Sequence, residues 1–212
     1  MSAADFRNIA VIGAGTMGSG IAAQIANAGH DVLLLDLGAK SVGEKIPAEN
    51  AIDRLLASDP PQLMSKKNVA RITTGVIDDD FEKLADCDWI IEAVVERLDI
   101  KKALYRRLDA VIGANCIVSS NTSTIPIKLL VEDMPTAFRQ RFAITHYFNP
   151  VRYMRLLELV RGSETNHDVL SIALPISMTV FLARALFVAA IHRVFLATVL
   201  GCLRFRLALT KP

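Results

Sequence analysis

Short apolar runs alternate with longer amphipathic segments along the first 160 residues of the chain. Runs rich in β-branched residues recur at 8–12, 31–35, 89–92, 117–119, 142–146 and 156–160. Segments with helical periodicity lie between them, at 16–28, 48–57, 99–112 and 126–131. This alternation predicts an α/β fold, a doubly wound Rossmann-type parallel sheet with helices on both faces.

A glycine-rich turn, G-A-G-T-M-G, joins the first predicted strand to the first predicted helix. Gly13 permits the tight turn, Gly15 lets a pyrophosphate approach the backbone, and Gly18 lets helix and strand pack closely. The free N–H groups at the helix start, around Thr16 and Met17, would face the phosphates. The alternative is a glycine-rich helix entry that binds no ligand.

An acidic residue ends the second predicted strand. Asp36 lies 18 residues past Gly18, close to where a carboxylate accepts from the adenosine ribose 2′-OH of a dinucleotide. A carboxylate there also repels a 2′-phosphate. The sequence therefore predicts NAD rather than NADP as the cofactor.

Three later strands carry polar groups at or just after their carboxyl ends, where open α/β sheets bind ligands. Glu96 follows the strand at 89–92, residues 120–123 (Ser-Asn-Thr-Ser) follow the next, and His146 ends the one after. These groups are expected to lie on the same rim as the glycine-rich turn.

His146 is the best candidate for a general base, because an imidazole with a pKa near ~6.5 can take a proton at neutral pH. Glu158 interrupts the apolar run at 156–160, and an acid there is costly unless it has a partner. The two strands are joined by a short connection, so hairpin pairing would bring Glu158 beside His146. The alternatives are a structural histidine and an edge-strand acid that faces water.

Other polar residues are ambiguous by themselves. Ser123 and Asn149 belong to types that favour turns and caps for local reasons, and Lys101 has the position of an exposed helix lysine.

Composition narrows the choice of partners. The formal net charge of +2 gives no indication of a nucleic-acid partner. The three cysteines have neither metal-like nor paired spacing, which is typical of a reducing compartment, and no metal is expected. The first residues lack the apolar core of a signal peptide, so a cytoplasmic protein is expected.

These motifs together resemble the NAD-binding domain of the L-3-hydroxyacyl-CoA dehydrogenases of fatty-acid β-oxidation. The matching elements are the glycine-rich turn at 13–18, Asp36, I-E-A-V-V-E at 91–96, S-N-T-S at 120–123, H-Y-F-N-P at 146–150 and L-L-E-L-V at 156–160. The sequence of residues 86–108 is most similar to that of the large bacterial bifunctional enzymes, which also carry a hydratase-like region.

The resemblance implies a role for each matching residue. His146 would be the base toward the substrate's 3-hydroxyl, Glu158 its partner, and Ser123 a hydrogen-bond donor to the substrate oxygen. Val95, Glu96, Lys101 and Asn149 would contact the cofactor, the last three at its nicotinamide end. An acyl-CoA substrate and a dimer formed through the family's helical domain are also implied.

Two regions depart from the family pattern. Residues 37–72 are shorter than the helical hairpin that often helps hold CoA, which leaves Ser65, Lys66 and Lys67 as the nearest candidates for CoA contacts. After about residue 166 an apolar stretch, expected to be largely helical, stands where the family's helical domain would begin. The predicted division is therefore an NAD-binding domain at 1–165 and an aberrant tail at 166–212.

A shifted reading frame would explain the tail. Moving the codons for residues 190–199 by two bases permits Asp-Thr-Pro-Gly-Phe-Leu-Gly-Asn-Arg, close to the missing family segment. The less favoured alternative is membrane insertion of 172–183 and 194–203, each shorter than the ~18 residues a spanning helix needs.

Two functions of different class remain open. One is NAD-dependent oxidation of L-3-hydroxyacyl-CoA to 3-oxoacyl-CoA. The other is a catalytically silent NAD-binding fragment without the domain that closes the site.

Overall fold

The computed structural model describes residues 8–154 and 156–166, Val169, and the backbone of residues 185–190. Within these residues the strands are β1 (Ile9–Ile12), β2 (Val32–Asp36), β3 (Ile72–Val76), β4 (Trp89–Glu92), β5 (Ile117–Ser120), β6 (Phe142–Tyr147), β7 (Leu156–Arg161) and β8 (Ala185–Ala190). The helices are α1 (Thr16–Asn27), α2 (Pro47–Ala57), α3 (Ile77–Asp80), α4 (Leu98–Val111), α5 (Ile127–Val131) and α6 (Thr136–Gln140). Short 3₁₀ helices cover Lys66–Arg71 and Phe81–Asp86.

The strands form one sheet in the order β3-β2-β1-β4-β5-β6-β7-β8. Neighbours from β3 to β6 are parallel, β7 is antiparallel to β6, and β8 is parallel to β7. The strand order reverses between β1 and β4, and at such a switch point the loops at the carboxyl ends part to form a ligand crevice. The predicted doubly wound Rossmann-type sheet is confirmed.

Both faces of the sheet are covered, which explains why its central strands are apolar without interruption. In β1, Ile9 and Val11 join a core cluster with α1 and α2, whereas Ala10 and Ile12 join a second cluster with α4 and α5. The β1 residues are all buried. Because β1 is buried on both faces, it lies in the interior of the sheet. The glycine-rich turn that follows it therefore lies at the edge formed by the carboxyl ends of the strands.

The structure adds elements that the sequence pattern did not predict. Strand β3 carries I-T-T-G-V, whose polar residues are tolerated because β3 lies at the edge of the sheet. Helix α6 has only five residues, too few for a periodic signal.

The predicted helical tail is corrected at one place, because residues 185–190 form strand β8 rather than a helix. Their backbone pairs with β7, which satisfies hydrogen bonds that an edge strand would expose. The rest of the predicted tail lies outside the described residues apart from Asn166 and Val169. The segment of the reading-frame hypothesis also lies outside them apart from the backbone of residue 190.

Among the described residues, no helix is both long and apolar enough to cross a membrane. No set of three or more His, Cys, Asp and Glu side chains among them is arranged to hold a metal ion.

Candidate functional site

Two adjoining cavities open at the switch point of the sheet. The larger has a volume of about 670 Å³ and the smaller about 430 Å³. Met17, Ala93 and Val94 line both, so the cavities meet beside the loop that follows β4. Of the predicted site residues, the larger is lined by Gly13, Gly15, Thr16, Met17, Asp36 and Val95. The smaller is lined by Met17, Glu96, Ser123, His146 and Asn149.

The glycines of the turn have different surroundings. Gly13 has a φ of +104°, and a Cβ there would lie 2.5 Å from the Ala93 carbonyl oxygen. A Cβ on Gly18 would lie 1.7 Å from the Gly13 carbonyl oxygen, whereas one on Gly15 would meet nothing within 4 Å. Gly13 and Gly18 therefore permit close backbone packing, while Gly15 leaves open space at the start of α1. That space suits a pyrophosphate, because the first N–H groups of α1 have no partner within the helix.

Asp36 holds the turn as well as lining the larger cavity. Its carboxylate accepts hydrogen bonds from the backbone N–H groups of Ala14 and, at 2.7 Å, Leu37. The Arg54 guanidinium of α2 donates to the Ala14 carbonyl oxygen at 2.8 Å. Asp36 and Arg54 thus fix the peptide groups on either side of Ala14.

His146 and Glu158 lie directly opposite each other in the antiparallel pair of β6 and β7, as the short connection predicted. The His146 Nδ1 atom lies 2.9 Å from Glu158 Oε2. An ionised carboxylate can only accept, so Nδ1 carries the proton and a neutral ring keeps its lone pair on Nε2. The Phe148 ring packs against the imidazole, with the ring centroids 4.4 Å apart.

Glu96 organises the loop after β5. Its Oε1 atom accepts hydrogen bonds from the hydroxyl and N–H groups of Thr124, the hydroxyl group of Thr122 and the N–H group of Ser123. Burial alone would raise the pKa of Glu96, but the hydrogen bonds from Thr122 and Thr124 and the charge of Lys101 outweigh it and hold the pKa below its ordinary value. The carboxylate therefore stays ionised in mildly acidic solution.

Lys101 is not the exposed helix lysine that its position in the sequence suggested. Its side chain is fully buried and lines neither cavity. Its ammonium group contacts Glu92 at 2.6 Å and Glu96 at 3.3 Å. The structure therefore brings Lys101 into contact with Glu96, which lines the smaller cavity.

Three residues of this region had no assigned role in the sequence analysis. The buried Glu92 carboxylate accepts hydrogen bonds from Tyr105 and Ser120, each at 2.6 Å. Burial, followed by the charge of Glu92, raises the pKa of Tyr105 well above its ordinary value, so its hydroxyl remains a donor. An acid next to apolar strand residues was the available signal for Glu92, as it was for Glu158.

The candidates for CoA contacts lie outside both cavities. Ser65 caps the 3₁₀ helix Lys66–Arg71, because its hydroxyl oxygen accepts from the Lys67 N–H group at 3.3 Å. Lys66 and Lys67 are exposed. Local capping accounts for Ser65 without a ligand.

Two curated proteins are similar in sequence to this chain. A Rickettsia felis protein named "Putative fatty acid oxidation complex trifunctional enzyme" is 44% identical over 168 residues, which are 78% of this chain and 23% of that protein. A Deinococcus radiodurans protein named "Probable 3-hydroxyacyl-CoA dehydrogenase" is 40% identical over 164 residues, 77% of this chain and 47% of that protein. The chain therefore spans less than half the length of these two curated relatives.

The fold is matched as well. The crystal structure of 3-hydroxybutyryl-CoA dehydrogenase from Escherichia coli superposes with a TM-score of 0.74 at 31% identity, covering 88% of this chain and 38% of that one. The family model described as "3-hydroxyacyl-CoA dehydrogenase, NAD binding domain" matches residues 8–180, which extends past the limit near residue 166 that the motifs indicated. The chain belongs to the NAD-binding domain family of the 3-hydroxyacyl-CoA dehydrogenases.

Proposed function

We propose that this chain carries out the NAD-dependent, reversible oxidation of L-3-hydroxyacyl-CoA to 3-oxoacyl-CoA. The observation that carries the proposal is the His146–Glu158 pair, because it stands at a cavity that adjoins the glycine-rich turn. A base beside a dinucleotide site is what the oxidation of a secondary alcohol requires.

The residues divide the reaction between them. When bound, NAD supplies the acceptor for the hydride that leaves carbon 3. His146 Nε2 takes the hydroxyl proton as the C=O bond forms, and Glu158 stabilises the resulting imidazolium. Ser123 donates a hydrogen bond to the substrate oxygen.

The remaining residues hold the cofactor. The turn at 13–18, with Gly13, Gly15, Thr16, Met17 and Gly18, binds the pyrophosphate. Asp36 accepts from the adenosine ribose, and Val95 packs on the adenosine half. Glu96 and Asn149 contact the nicotinamide end, and Lys101 acts through Glu96.

The first experiment is a fluorescence titration of the 212-residue protein with NADH, followed by NADH oxidation in the presence of acetoacetyl-CoA. Saturable binding with substrate-dependent oxidation supports the enzyme. Binding without turnover supports the alternative, an NAD-binding fragment. Folded protein that does not bind NADH contradicts both.

Replacing Asp36 by alanine is expected to weaken NADH binding by about tenfold, because the lost hydrogen bond involves a charged acceptor. NADPH binding should weaken less or improve, since the carboxylate that repels its 2′-phosphate is gone. Titrations of both nucleotides measure the ratio. An Asp31→Ala variant, which breaks a surface ion pair with Arg71, is the control. An unchanged ratio would count against the ribose role.

The wider setting forms part of the proposal. An acyl-CoA is the substrate, and any dimer would form through the family's helical domain rather than through residues 1–165. The proposed division places the NAD-binding domain at 1–165 and the tail at 166–212, although the family model extends to residue 180 and strand β8 of the tail joins the same sheet. A cytoplasmic location fits the buried free thiols of Cys87 and Cys116, whose pKa values burial raises to about 12, so both stay protonated and unreactive.

A further inference from the structure

A fully buried carboxylate directly precedes Ala93 and Val94, which line both cavities. Glu92, the last residue of β4, is 0% exposed. Its Oε1 atom accepts from Lys101 Nζ at 2.6 Å and from the Val94 N–H group at 2.8 Å. Its Oε2 atom accepts from the Tyr105 hydroxyl and the Ser120 hydroxyl, each at 2.6 Å. With four donors and an opposite charge, this carboxylate is fixed in one orientation.

Lys101 lies between the Glu92 carboxylate and Glu96, which lines the smaller cavity. Its ammonium group lies 2.6 Å from Glu92 and 3.3 Å from Glu96. The Lys101 side chain is 0% exposed, whereas that of Glu96 is 37% exposed and lines the smaller cavity. One buried cation therefore holds the second oxygen, Oε2, of a carboxylate that lines the cavity.

Glu96 in turn holds the loop of residues 122–124 by hydrogen bonds. While its Oε2 atom faces Lys101, its Oε1 atom accepts the hydrogen bonds from residues 122–124 described above. Ser123 of this loop lines the same cavity as His146. The position of Ser123 relative to His146 thus depends on Glu96.

We infer that Glu92, Lys101 and Tyr105 are positioning residues, which fix Glu96 and through it the loop 122–124 at the nicotinamide end of the cofactor. The inference rests on the proposed NAD-dependent function. Buried ion pairs add little net stability, because desolvation of the charges offsets their attraction. A fully bonded one nevertheless restricts geometry, and a cofactor site needs such restriction.

The test compares two nucleotides. Lys101→Met removes the ammonium group and retains most of the side-chain volume. NADH affinity is expected to fall by about tenfold, in line with the loss of other supporting contacts. Affinity for ADP, which lacks the nicotinamide and its ribose, should change by less than about twofold. Lys102→Met is the matched control, because Lys102 pairs with Glu132 and Asp133 away from both cavities.

A double-variant cycle separates positioning from general stability. If Lys101 acts through Glu96, the loss of NADH affinity in Lys101→Met plus Glu96→Gln is smaller than the sum of the two single losses. Tyr105→Phe provides a variant that should fold in any case. It removes one hydroxyl and keeps the ring packed against Phe138 and Phe142, with centroids at 5.9 and 5.1 Å. A smaller loss confined to NADH is expected for it.

Each outcome either supports or overturns the positioning role of Glu92, Lys101 and Tyr105. Additive losses, equal loss of NADH and ADP affinity, or unchanged NADH affinity in all variants overturns the positioning role. If Lys101→Met does not fold, selective loss of NADH affinity in Tyr105→Phe supports the role, and its absence overturns it. Wild-type protein that binds no NADH overturns the proposed function and this inference together.

Discussion

The Gly18→Ala substitution is expected to reduce NADH affinity by about 100-fold. It is also expected to lower the free energy of unfolding by about 3 kcal/mol, which is the upper end of the usual cost of overpacking. The added Cβ would lie 1.7 Å from the Gly13 carbonyl oxygen and 2.9 Å from the Gly13 carbonyl carbon. Neither atom belongs to a flexible side chain, so α1 must move away from β1. This movement would displace the turn that faces the larger cavity. Denaturant unfolding and NADH titration measure the two effects.

Two other glycines serve as controls for this experiment. Gly15→Ala adds a methyl group with nothing within 4 Å, at a φ of −66° that alanine adopts readily. It should preserve stability and weaken only NADH binding, because the methyl group occupies the space proposed for the pyrophosphate. Gly113→Ala, whose nearest contact is 3.6 Å away, should change neither quantity. Unaltered NADH binding in Gly18→Ala would contradict the packing argument.

Replacing His146 by alanine is expected to lower turnover by about 10²- to 10⁴-fold, the usual contribution of a general base. NADH affinity should stay nearly unchanged, because the imidazole is proposed to contact the substrate hydroxyl rather than the cofactor. Stopped-flow or steady-state oxidation of NADH with acetoacetyl-CoA gives the rate, and titration gives the affinity.

Variants at two other positions sharpen the assignment of His146. Glu158→Gln keeps an oxygen that can accept from Nδ1 and removes the charge, so its loss of turnover should be the smaller one. His30→Ala changes a histidine that lines neither cavity and should leave the rate unchanged. Equal loss of turnover and NADH binding in His146→Ala would mean that the ring is structural.

The site could be predicted from sequence wherever local pattern determines geometry. At the turn between β1 and α1 the hydrophobic pattern changes from that of a strand to that of a helix, and the glycines stand at fixed spacings. These two signals were enough to predict that the turn lies at the carboxyl-end rim of the sheet. The pairing of His146 with Glu158 followed from an acid in an apolar strand and a short connection. Strand β3 was missed because Thr73, Thr74 and Gly75 hide its apolar pattern.

Contacts between segments that are distant in the sequence could not be predicted from local patterns. Lys101 has the spacing of an ordinary helix lysine, and its burial depends on Glu92, nine residues earlier on a neighbouring strand. The argument made for Glu158 applied equally to Glu92, an acid that follows Trp89, Ile90 and Ile91. Its four donors, however, come from β5, α4 and the loop after β4, and no one-dimensional period brings these together.

The antiparallel register of β6 and β7 also limits how this region can change in length. His146 faces Glu158 only because Tyr147 pairs with Leu157 and Thr145 with Leu159. Inserting one residue between the strands and slipping the register by one would turn Glu158 to the opposite face. A slip of two would restore the face but move the carboxylate roughly 7 Å along the strand. Loop lengthening is therefore tolerated only where the added residues bulge outward and leave the ladder intact, which makes residues 148–154 a poor site for insertions or fused tags.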